Sequence, residues 1–282
     1  MTAQIIDGKQ IAQQLRYELA EEIRKNNWRP KLAVVWVGDN EASGVYVRNK
    51  QKAAQEIGII CDIHHLSSTA TEKEIIQLIQ SLNQDQSVNG IIVQLPLPEG
   101  LDSYKILETI EKSKDVDAFK TSMTGELWQH KESWASATPE GVMYLLKTVC
   151  PQLSGKNAVV IGRSNIVGKP MAAMLLNEDC TVTITHSKTL QLQNITAQAD
   201  ILIAACGCPK LVKSDWVKKG AIVIDVGISK VDGHLSGDVD FEEVKQEASA
   251  ITPVPGGVGP MTIAMLLKNT VEALKKQIDT EK

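Results

Sequence analysis

The chain has 282 residues, a mass of 30.8 kDa and a formal net charge of −4, which gives room for one large domain or two of ordinary size. This weakly acidic balance gives no electrostatic case for nucleic acid or a membrane surface as a partner. The N-terminus has no charged segment before an apolar stretch, and no run reaches the roughly 18 apolar residues of a membrane span. We therefore expect a soluble, cytoplasmic protein.

The five cysteines and five histidines show no metal-ligand spacing. Cys206-Gly207-Cys208 is C-x-C rather than C-x-x-C, no second pair answers it, and no H-E-x-x-H occurs. We expect reduced thiols and no metal site.

The first half of the chain alternates between helical and strand patterns. The predicted elements are, in order, a helix over 10–26 with one apolar stripe, a strand over 32–37, a helix over 43–57, a strand over 59–66, a helix opened by a capping box of Thr71 and Glu74, and a strand over 90–95. Such alternation favours a parallel sheet with right-handed crossovers.

The second half begins with a helix that Thr138 is expected to cap, with Pro139 at its first position. The next predicted elements are strands over 158–161, 181–185, 200–205 and 221–225, a helix with Pro170 in its first turn, and a last helix over 261–278. That last helix is long for a domain with nothing left to wrap, so we expect it to cross back to the N-terminal domain. The fold class is then α/β with two α/β domains, 1–137 joined by about 261–282, and 138–260, with the active site in the cleft between them.

The segment over 157–190 reads as strand, glycine turn, helix and strand, which is a Rossmann-like unit for a pyrophosphate. Its turn departs from G-x-G-x-x-G, because Gly162 and Gly168 are six residues apart, and it is not a Walker loop. NAD enzymes carry an acid at the end of the second strand, but this chain has His186-Ser187-Lys188 there and Arg163 in the first turn. Cationic and hydroxyl donors bind a 2′-phosphate, which favours NADP over a merely solvated basic turn.

Lys50 and Gln94 occupy positions where they could take part in catalysis. Tyr46 and Lys50 lie four apart on the second helix, where the lysine interrupts an apolar stripe. Lys50 either snorkels into water or is an amine of lowered pKa in a partly desolvated site. Gln94 ends a predicted parallel strand, at the edge where ligands bind, and either orients such an amine or is a satisfied structural amide.

Two further segments suggest binding of a flat ring. Asp115 and Asp117 place two carboxylates two apart on an extended segment, either as a solvated turn or as acceptors for a ring N–H and an amino group. Residues 251–262 hold three prolines and three glycines just before the last helix. This composition indicates a rigid loop that brings backbone close to a ring.

Taken together, these segments resemble the bifunctional methylenetetrahydrofolate dehydrogenase/methenyltetrahydrofolate cyclohydrolase family. The resemblance covers nearly the whole chain, in order, through VGDNEASGVYVRNKQKAAQEIGI, GIIVQLPLPEGLD, KDVDAF, TPEGV, VVIGRSNIVGKPMAAMLL, HSKT, GAIVIDVGI and TPVPGGVGPMT. It implies NADP as cofactor, a tetrahydrofolate derivative as substrate and a homodimer through the dinucleotide domain.

The resemblance also implies roles for individual residues. Lys50 is the catalytic amine, with Gln94, Asp117 and Tyr46 completing the catalytic set. The cofactor is held by Gly162, Arg163, Ser164, Ser187 and the backbone at Ile228. The folate lies against Tyr46, Gln94, Pro96, Asp117, Pro255, Gly256, Gly257 and Thr262.

The chain departs from the family pattern at three places. Ala118 stands where the family usually has Gly, Lys120-Thr121 where it often has His-Pro or a similar pair, and Ala137 where it has Cys. Because Ala tolerates fewer backbone conformations than Gly, we expect a small shift of the Asp117 loop that affects substrate affinity more than reaction type.

Three alternatives remain open at this stage. One is a monofunctional methylenetetrahydrofolate dehydrogenase with weak hydrolysis. Another is a silent folate or nucleotide binder, which would have no need of Lys50. The third is an unrelated NADP-dependent dehydrogenase, which would leave the N-terminal motifs unexplained.

Overall fold

The protein is described by a computed structural model covering residues 2–131 and 134–280. The helices of these residues are α1 (Gly8–Lys25), α2 (Glu41–Glu56), α3 (Glu72–Gln84), α4 (Ser103–Glu108), α5 (Thr121–Trp128), α6 (Ala137–Val149), α7 (Gly168–Asn177), α8 (Leu192–Thr196), α9 (Phe241–Val244) and α10 (Val258–Thr280). The strands are β1 (Gln4–Ile5), β2 (Lys31–Val37), β3 (Ile60–Leu66), β4 (Gly90–Val93), β5 (Asn157–Ile161), β6 (Thr181–Thr185), β7 (Ile201–Ala204), β8 (Ile222–Asp225), β9 (Ser229–Val231), β10 (His234–Ser236) and β11 (Ala250–Ile251).

The N-terminal unit is built on a parallel sheet of three strands in the order β3-β2-β4. The central strand β2 is a continuous apolar run whose residues 32–35 are fully buried, as in parallel sheets covered on both faces. The α3 helix covers one side of this sheet with Ile75, Ile79 and Leu82. Its predicted capping box is present, because Thr71 and Glu74 bond each other's backbone.

The C-terminal unit contains a parallel sheet of six strands in the order β1-β11-β8-β7-β5-β6. The predicted β5-α7-β6 unit lies at one end of it, with Pro170 in the first turn of α7. Strand β5 pairs with β6 on one side and with β7 on the other. The chain order of the strands therefore reverses beside β5. Ligands of open α/β sheets bind at such a point, beyond the carboxyl ends of the strands.

The two compact units do not follow the chain in a simple way. Residues 2–12, 126–131 and 138–262 belong to the C-terminal unit, whereas 13–125, 134–137 and 263–280 belong to the N-terminal unit. The first residues join the C-terminal unit because β1 pairs with β11, which the sequence-based boundary of 1–137 does not anticipate.

Residues 263–280 of the last helix belong to the N-terminal unit. Buried Asn269 of α10 donates to the carbonyls of Val116, at 3.1 Å, and Ala135, at 3.2 Å. The predicted final segment 261–282 includes Glu281 and Lys282, which lie outside the described residues. Within the described residues, no helix is long and apolar enough to cross a membrane.

Two local predictions are wrong. Thr138 does not cap α6, because the helix already begins at Ala137, and the Thr138 hydroxyl lies 3.0 Å from that of Thr262 instead. The segment of Asp115 and Asp117 is not extended, because the chain turns at Val116 and Asp117.

Candidate functional site

A lysine–amide contact lies at the carboxyl edge of the N-terminal sheet. Lys50 Nζ donates to Gln94 Oε1 at 3.1 Å, and Gln94 Nε2 donates to the carbonyl of Leu95 at 2.6 Å. The second bond orients the amide so that its oxygen faces the lysine. Asn40 caps the N-terminus of helix α2, because its side chain accepts a hydrogen bond from the backbone N–H of Ser43. The structure thus brings together Lys50 and Gln94, which are 44 residues apart in sequence.

The ammonium of Lys50 lies in a partly desolvated place. Burial lowers its pKa, and the negative charge of Asp117 opposes that shift. Conversely, burial raises the pKa of Asp117, and Lys50 opposes that shift. The environment therefore favours an amine that gives up its proton more readily than an exposed lysine does.

Tyr46 lies one helical turn before Lys50 on α2 and is 40% exposed. Burial of its hydroxyl raises the pKa of Tyr46. The exposed part of its ring can accept a flat ligand, since aromatic faces stack on rings. Pro96 lies two residues after Gln94, and the Leu95–Pro96 peptide bond is cis.

The loop that carries Asp117 is organised by the buried carboxylate of Asp115. Asp115 Oδ2 accepts the backbone N–H of Lys120 at 2.9 Å, and the Asp115 carbonyl accepts from Trp134 Nε1 at 2.7 Å. Ala118 has φ of +55°, in the left-handed region where Gly costs least. The alanine thus adopts the conformation for which the family pattern has glycine.

The other two departures from the family pattern lie next to the Asp117 loop and in the core. Thr121 donates its backbone N–H to Glu108 Oε1 at 2.6 Å, and Lys120 lies beside the same carboxylate. Ala137 is fully buried at the start of α6.

The glycine turn of the C-terminal unit is formed by close backbone approach. A Cβ on Gly162, which has φ of +122°, would lie 2.1 Å from the carbonyl oxygen of Ala205. A Cβ on Gly168 would lie 2.3 Å from the carbonyl oxygen of Gly162. Ser164 Oγ accepts the N–H groups of Val167 and Gly168 at 3.1 and 3.3 Å, which caps the first turn of α7. A helix start approached this closely by the turn suits a pyrophosphate.

Basic and hydroxyl side chains stand at the carboxyl ends of β5 and β6. Gly162 N donates to the Thr185 carbonyl at 2.9 Å, so Arg163 and the His186–Ser187 turn follow paired strand ends. That turn is fixed because His186 Nδ1 accepts the N–H of Lys188 at 3.1 Å. Arg163 and Ser187 are exposed, and Arg163 has no ion-pair partner among the described residues. This edge presents donors of the kind that bind a 2′-phosphate.

The proline–glycine loop before α10 is closely packed against its own backbone. Pro255 follows a cis peptide bond, Gly256 has φ of +109°, and a Cβ on Gly257 would lie 2.6 Å from the Pro253 carbonyl oxygen. The Thr262 hydroxyl donates back to the Val258 carbonyl at 3.3 Å in the first turns of α10.

Ile228, the other predicted cofactor contact, follows β8 and is 41% exposed. A Cβ on Gly259 would lie 3.5 Å from Ile228 Cδ1, so this residue lies beside the start of α10.

Sequence reasoning missed two residues that fix these loops. Gly8 approaches the proline–glycine loop so closely that a Cβ would lie 1.9 Å from the Gly257 carbonyl oxygen. Asn269 holds the Val116 carbonyl beside Asp117. A polar residue on the apolar face of the last helix is a signal that could have indicated Asn269, whereas nothing near the N-terminus indicates Gly8.

Among the described residues, no group of three or more His, Cys, Asp or Glu side chains is arranged to hold a metal ion.

Two protein-family models and a full-length relative match nearly the whole chain. The model of the tetrahydrofolate dehydrogenase/cyclohydrolase catalytic domain matches residues 6–117, and that of the family's NAD(P)-binding domain matches residues 136–278. The chain is 52% identical to the bifunctional protein FolD of Pelagibacter ubique over 276 residues, covering 96% of this chain and 98% of that protein.

Solved structures give the same result. The bifunctional enzyme FolD from Campylobacter jejuni has a TM-score of 0.95 and 50% identity, covering 97% of this chain and 99% of that one. The Trypanosoma brucei dehydrogenase–cyclohydrolase, solved with NADP cofactor and inhibitor, has a TM-score of 0.94 and 38% identity over 99% of both chains. The chain therefore belongs to the tetrahydrofolate dehydrogenase/cyclohydrolase family.

Proposed function

We propose that the chain oxidises 5,10-methylenetetrahydrofolate with NADP to 5,10-methenyltetrahydrofolate, and then hydrolyses that product to 10-formyltetrahydrofolate in the same active site. Membership of the family and the NADP complex of a relative support the two activities and the cofactor. The contact between Lys50 and Gln94 is the observation that carries the assignment of the chemistry to particular residues.

The oxidation transfers a hydride from the methylene bridge to NADP, which supplies the acceptor. The nitrogen lone pairs of the folate stabilise the resulting cation, so this step mainly requires alignment of two flat rings. Tyr46, Pro255, Gly256 and Gly257 are the folate contacts that the resemblance to the family implies. The carboxylate of Asp117 accepts hydrogen bonds from the pterin ring.

The hydrolysis needs a group that moves protons. Water attacks the methenyl carbon, and the tetrahedral adduct must lose and relay protons as one C–N bond breaks. Lys50 suits this role because burial lowers its pKa and Gln94 holds its Nζ without adding a charge.

The cofactor contacts are assigned to the C-terminal unit. The backbone of the turn from Gly162 to Ser164 and the start of α7 approach the pyrophosphate, because no Cβ fits at Gly162. Arg163 and Ser187 bind the 2′-phosphate, which distinguishes NADP from NAD. The backbone at Ile228 contacts the rest of the cofactor.

A spectroscopic assay tests the proposal. Methylenetetrahydrofolate is supplied with NADP or with NAD, and formation and decay of methenyltetrahydrofolate are followed. A separate assay starts from methenyltetrahydrofolate without NADP, and slow loss there would indicate a monofunctional dehydrogenase.

The variant Lys50→Gln assigns the amine. We expect it to lose hydrolysis by about 10²–10⁴-fold, the usual contribution of acid–base catalysis, while folate and NADP still bind. Full hydrolysis by this variant would remove Lys50 from the mechanism.

We further infer that the chain acts as a cytoplasmic homodimer, as the family does, through the dinucleotide-binding unit. The edge strand β6 supports this, because it leaves Ile184 37% exposed. Light scattering should give twice the chain mass of 30.8 kDa, and the mass of a single chain at micromolar concentration would contradict it.

A further inference from the structure

Two buried carboxylates lie at the carboxyl edge of the six-stranded sheet and have no role in the function proposed above. Asp225 is the last residue of β8 and is 3% exposed, and Asp238 follows β10 and is 0% exposed. Neither carboxylate forms an ion pair with a lysine or arginine in the part of the chain that the structure describes. Buried charges without a cation are costly, so their persistence calls for an explanation.

The two carboxylates collect backbone N–H groups from separate loops. Asp225 Oδ1 accepts from Gly227 at 3.1 Å and Asp238 at 2.9 Å, and its Oδ2 accepts from Val239 at 3.0 Å. Asp238 Oδ2 accepts from Cys206 at 2.7 Å and Gly207 at 3.0 Å. The loops after β7 and β8 and the segment after β10 are therefore tied to one acidic centre.

Two glycines make room for this centre. A Cβ on Gly227 would lie 2.2 Å from Asp238 Cγ, and a Cβ on Gly237 would lie 1.9 Å from Asp225 Oδ2. The carboxylates occupy the space that any side chain at these positions would need. The backbone directly before Ile228 is thus held against Asp238.

The burial of these two carboxyl groups carries an electrostatic cost. Burial raises the pKa of Asp225 to about 7, and the neighbouring Asp238 adds to the rise. Asp238 Oδ1 is buried without a hydrogen-bond partner. Costs of this kind concentrate at functional sites, where positioning outweighs stability.

The strand order indicates which half of the dinucleotide these loops meet. The 2′-phosphate donors follow β5 and β6, and β7 and β8 lie on the other side of β5. A dinucleotide that crosses the carboxyl edge from β6 past β5 brings its nicotinamide half over the loops after β7 and β8. The loop after β8 contains Ile228.

We propose that Asp225 and Asp238 are positioning residues that hold the loops after β7 and β8 in the geometry that binds the nicotinamide half of NADP. This inference rests on the proposed function. The residues act through the backbone of Gly207 and Ile228 and do not take part in the chemistry.

The experiment compares two probes on the full-length protein. For Asp238→Ala, the Kd of NADP should rise about tenfold, since two hydrogen bonds to the loop after β7 are lost. The Kd of adenosine 2′,5′-bisphosphate, which lacks the nicotinamide half, should not change. The KM of methylenetetrahydrofolate and the hydrolysis of methenyltetrahydrofolate without NADP should also stay at wild-type values.

Two further variants keep the result interpretable. Asp238→Asn retains an acceptor oxygen for Cys206 and Gly207 and should restore most of the NADP affinity. Asp240→Ala removes a nearby acid that pairs with Lys213 at 2.8 Å and should leave both probes unchanged. If Asp238→Ala does not fold, Asp225→Asn is tested with the same two probes.

The inference is overturned if both probes weaken equally or if neither changes. Failure of the proposed function is distinguishable, because in that case the wild-type protein itself would neither oxidise methylenetetrahydrofolate nor hydrolyse methenyltetrahydrofolate.

Discussion

Lys50 Nζ donates a 3.1 Å hydrogen bond to Gln94 Oε1, an acceptor that carries no charge. The amine is thus oriented while burial still lowers its pKa. A carboxylate in the same place would hold the lysine as a permanent ammonium, because an opposite charge at this distance favours the charged form.

The variant Gln94→Glu tests this relationship. The pKa of Lys50 should rise, so the limb of the hydrolysis pH profile that reports loss of its proton should move to higher pH. Hydrolysis near neutral pH should fall accordingly. The measurement is the rate of methenyltetrahydrofolate loss against pH, corrected for the uncatalysed reaction.

The matched control is Gln55→Glu, which adds the same charge on an exposed position of α2. Its pH profile should coincide with that of the wild type. An unchanged profile in Gln94→Glu would show that the uncharged acceptor does not set the proton affinity of Lys50.

Ala118 is expected to cost stability, because its φ of +55° lies in the left-handed region. Such a conformation costs a non-glycine residue roughly 1–2 kcal/mol. Ala118→Gly relieves this strain. It also removes a small buried contact, and glycine increases the conformational entropy of the unfolded chain, which favours unfolding. We expect a net gain of about 0.5–1 kcal/mol in the free energy of unfolding, measured by urea denaturation.

Ala20→Gly is the control for this substitution. Ala20 lies inside α1, where glycine should destabilise by about 1 kcal/mol. Because Ala118 already has the left-handed conformation, Ala118→Gly should leave the KM of methylenetetrahydrofolate unchanged. A large change in that KM would mean that the alanine side chain itself limits folate binding.

Interactions between residues close in sequence could be predicted, whereas interactions between residues far apart in sequence could not. The apolar run of β2 and the capping box of Thr71 and Glu74 are local signals, and both predicted their elements. The pairing of β1 with β11 joins two-residue strands from opposite ends of the chain, and strands this short carry no periodic pattern.

The candidate site was only partly accessible from residue types. Lys50 and Gln94 each allowed a plain structural explanation when considered alone, and the resemblance to a family brought them together. The turn at Asp117 depends on the buried Asp115 carboxylate, which accepts the N–H of Lys120 five residues later. Tertiary burial decides whether such a pair of acids is extended or folded, and spacing alone does not carry that information.

The buried carboxyl of Asp115 should make stability depend on pH. Burial raises its pKa to about 7, although the N–H of Lys120 opposes the rise. Between the ordinary pKa of 3.8 and this value, the folded state retains a proton that the unfolded state has released. The free energy of unfolding should therefore decrease as pH rises through this window, by at most about 1.4 kcal/mol per pH unit from this group.

The variant Asp115→Asn does not titrate and should lose less stability between pH 5 and 7.5 than the wild type. Urea midpoints across this range measure the difference. Asp225, which titrates in the same direction, is intact in both proteins and does not affect the comparison. Asp232→Asn, in the exposed turn between β9 and β10, should follow the wild-type curve, and parallel curves for Asp115→Asn would contradict the prediction.

Gly162→Ala should weaken NADP binding selectively. The new Cβ would lie 2.1 Å from the Ala205 carbonyl oxygen, so the ends of β5 and β7 must separate, and φ of +122° is unfavourable for alanine. Both effects displace the turn that leads into α7. We expect the Kd of NADP, measured by titration calorimetry, to rise by more than about tenfold.

The control for strain without a steric clash is Gly155→Ala. Gly155 has φ of +76° in the same unit, but nothing lies within 4 Å of its Cβ position. This variant should lose about 1 kcal/mol of stability and retain NADP affinity, because only the backbone conformation is penalised. The N-terminal unit contains neither glycine, so hydrolysis of methenyltetrahydrofolate without NADP should persist in both variants. Equal NADP affinity in Gly162→Ala and Gly155→Ala would show that the close approach of Gly162 to Ala205 is not needed for the cofactor.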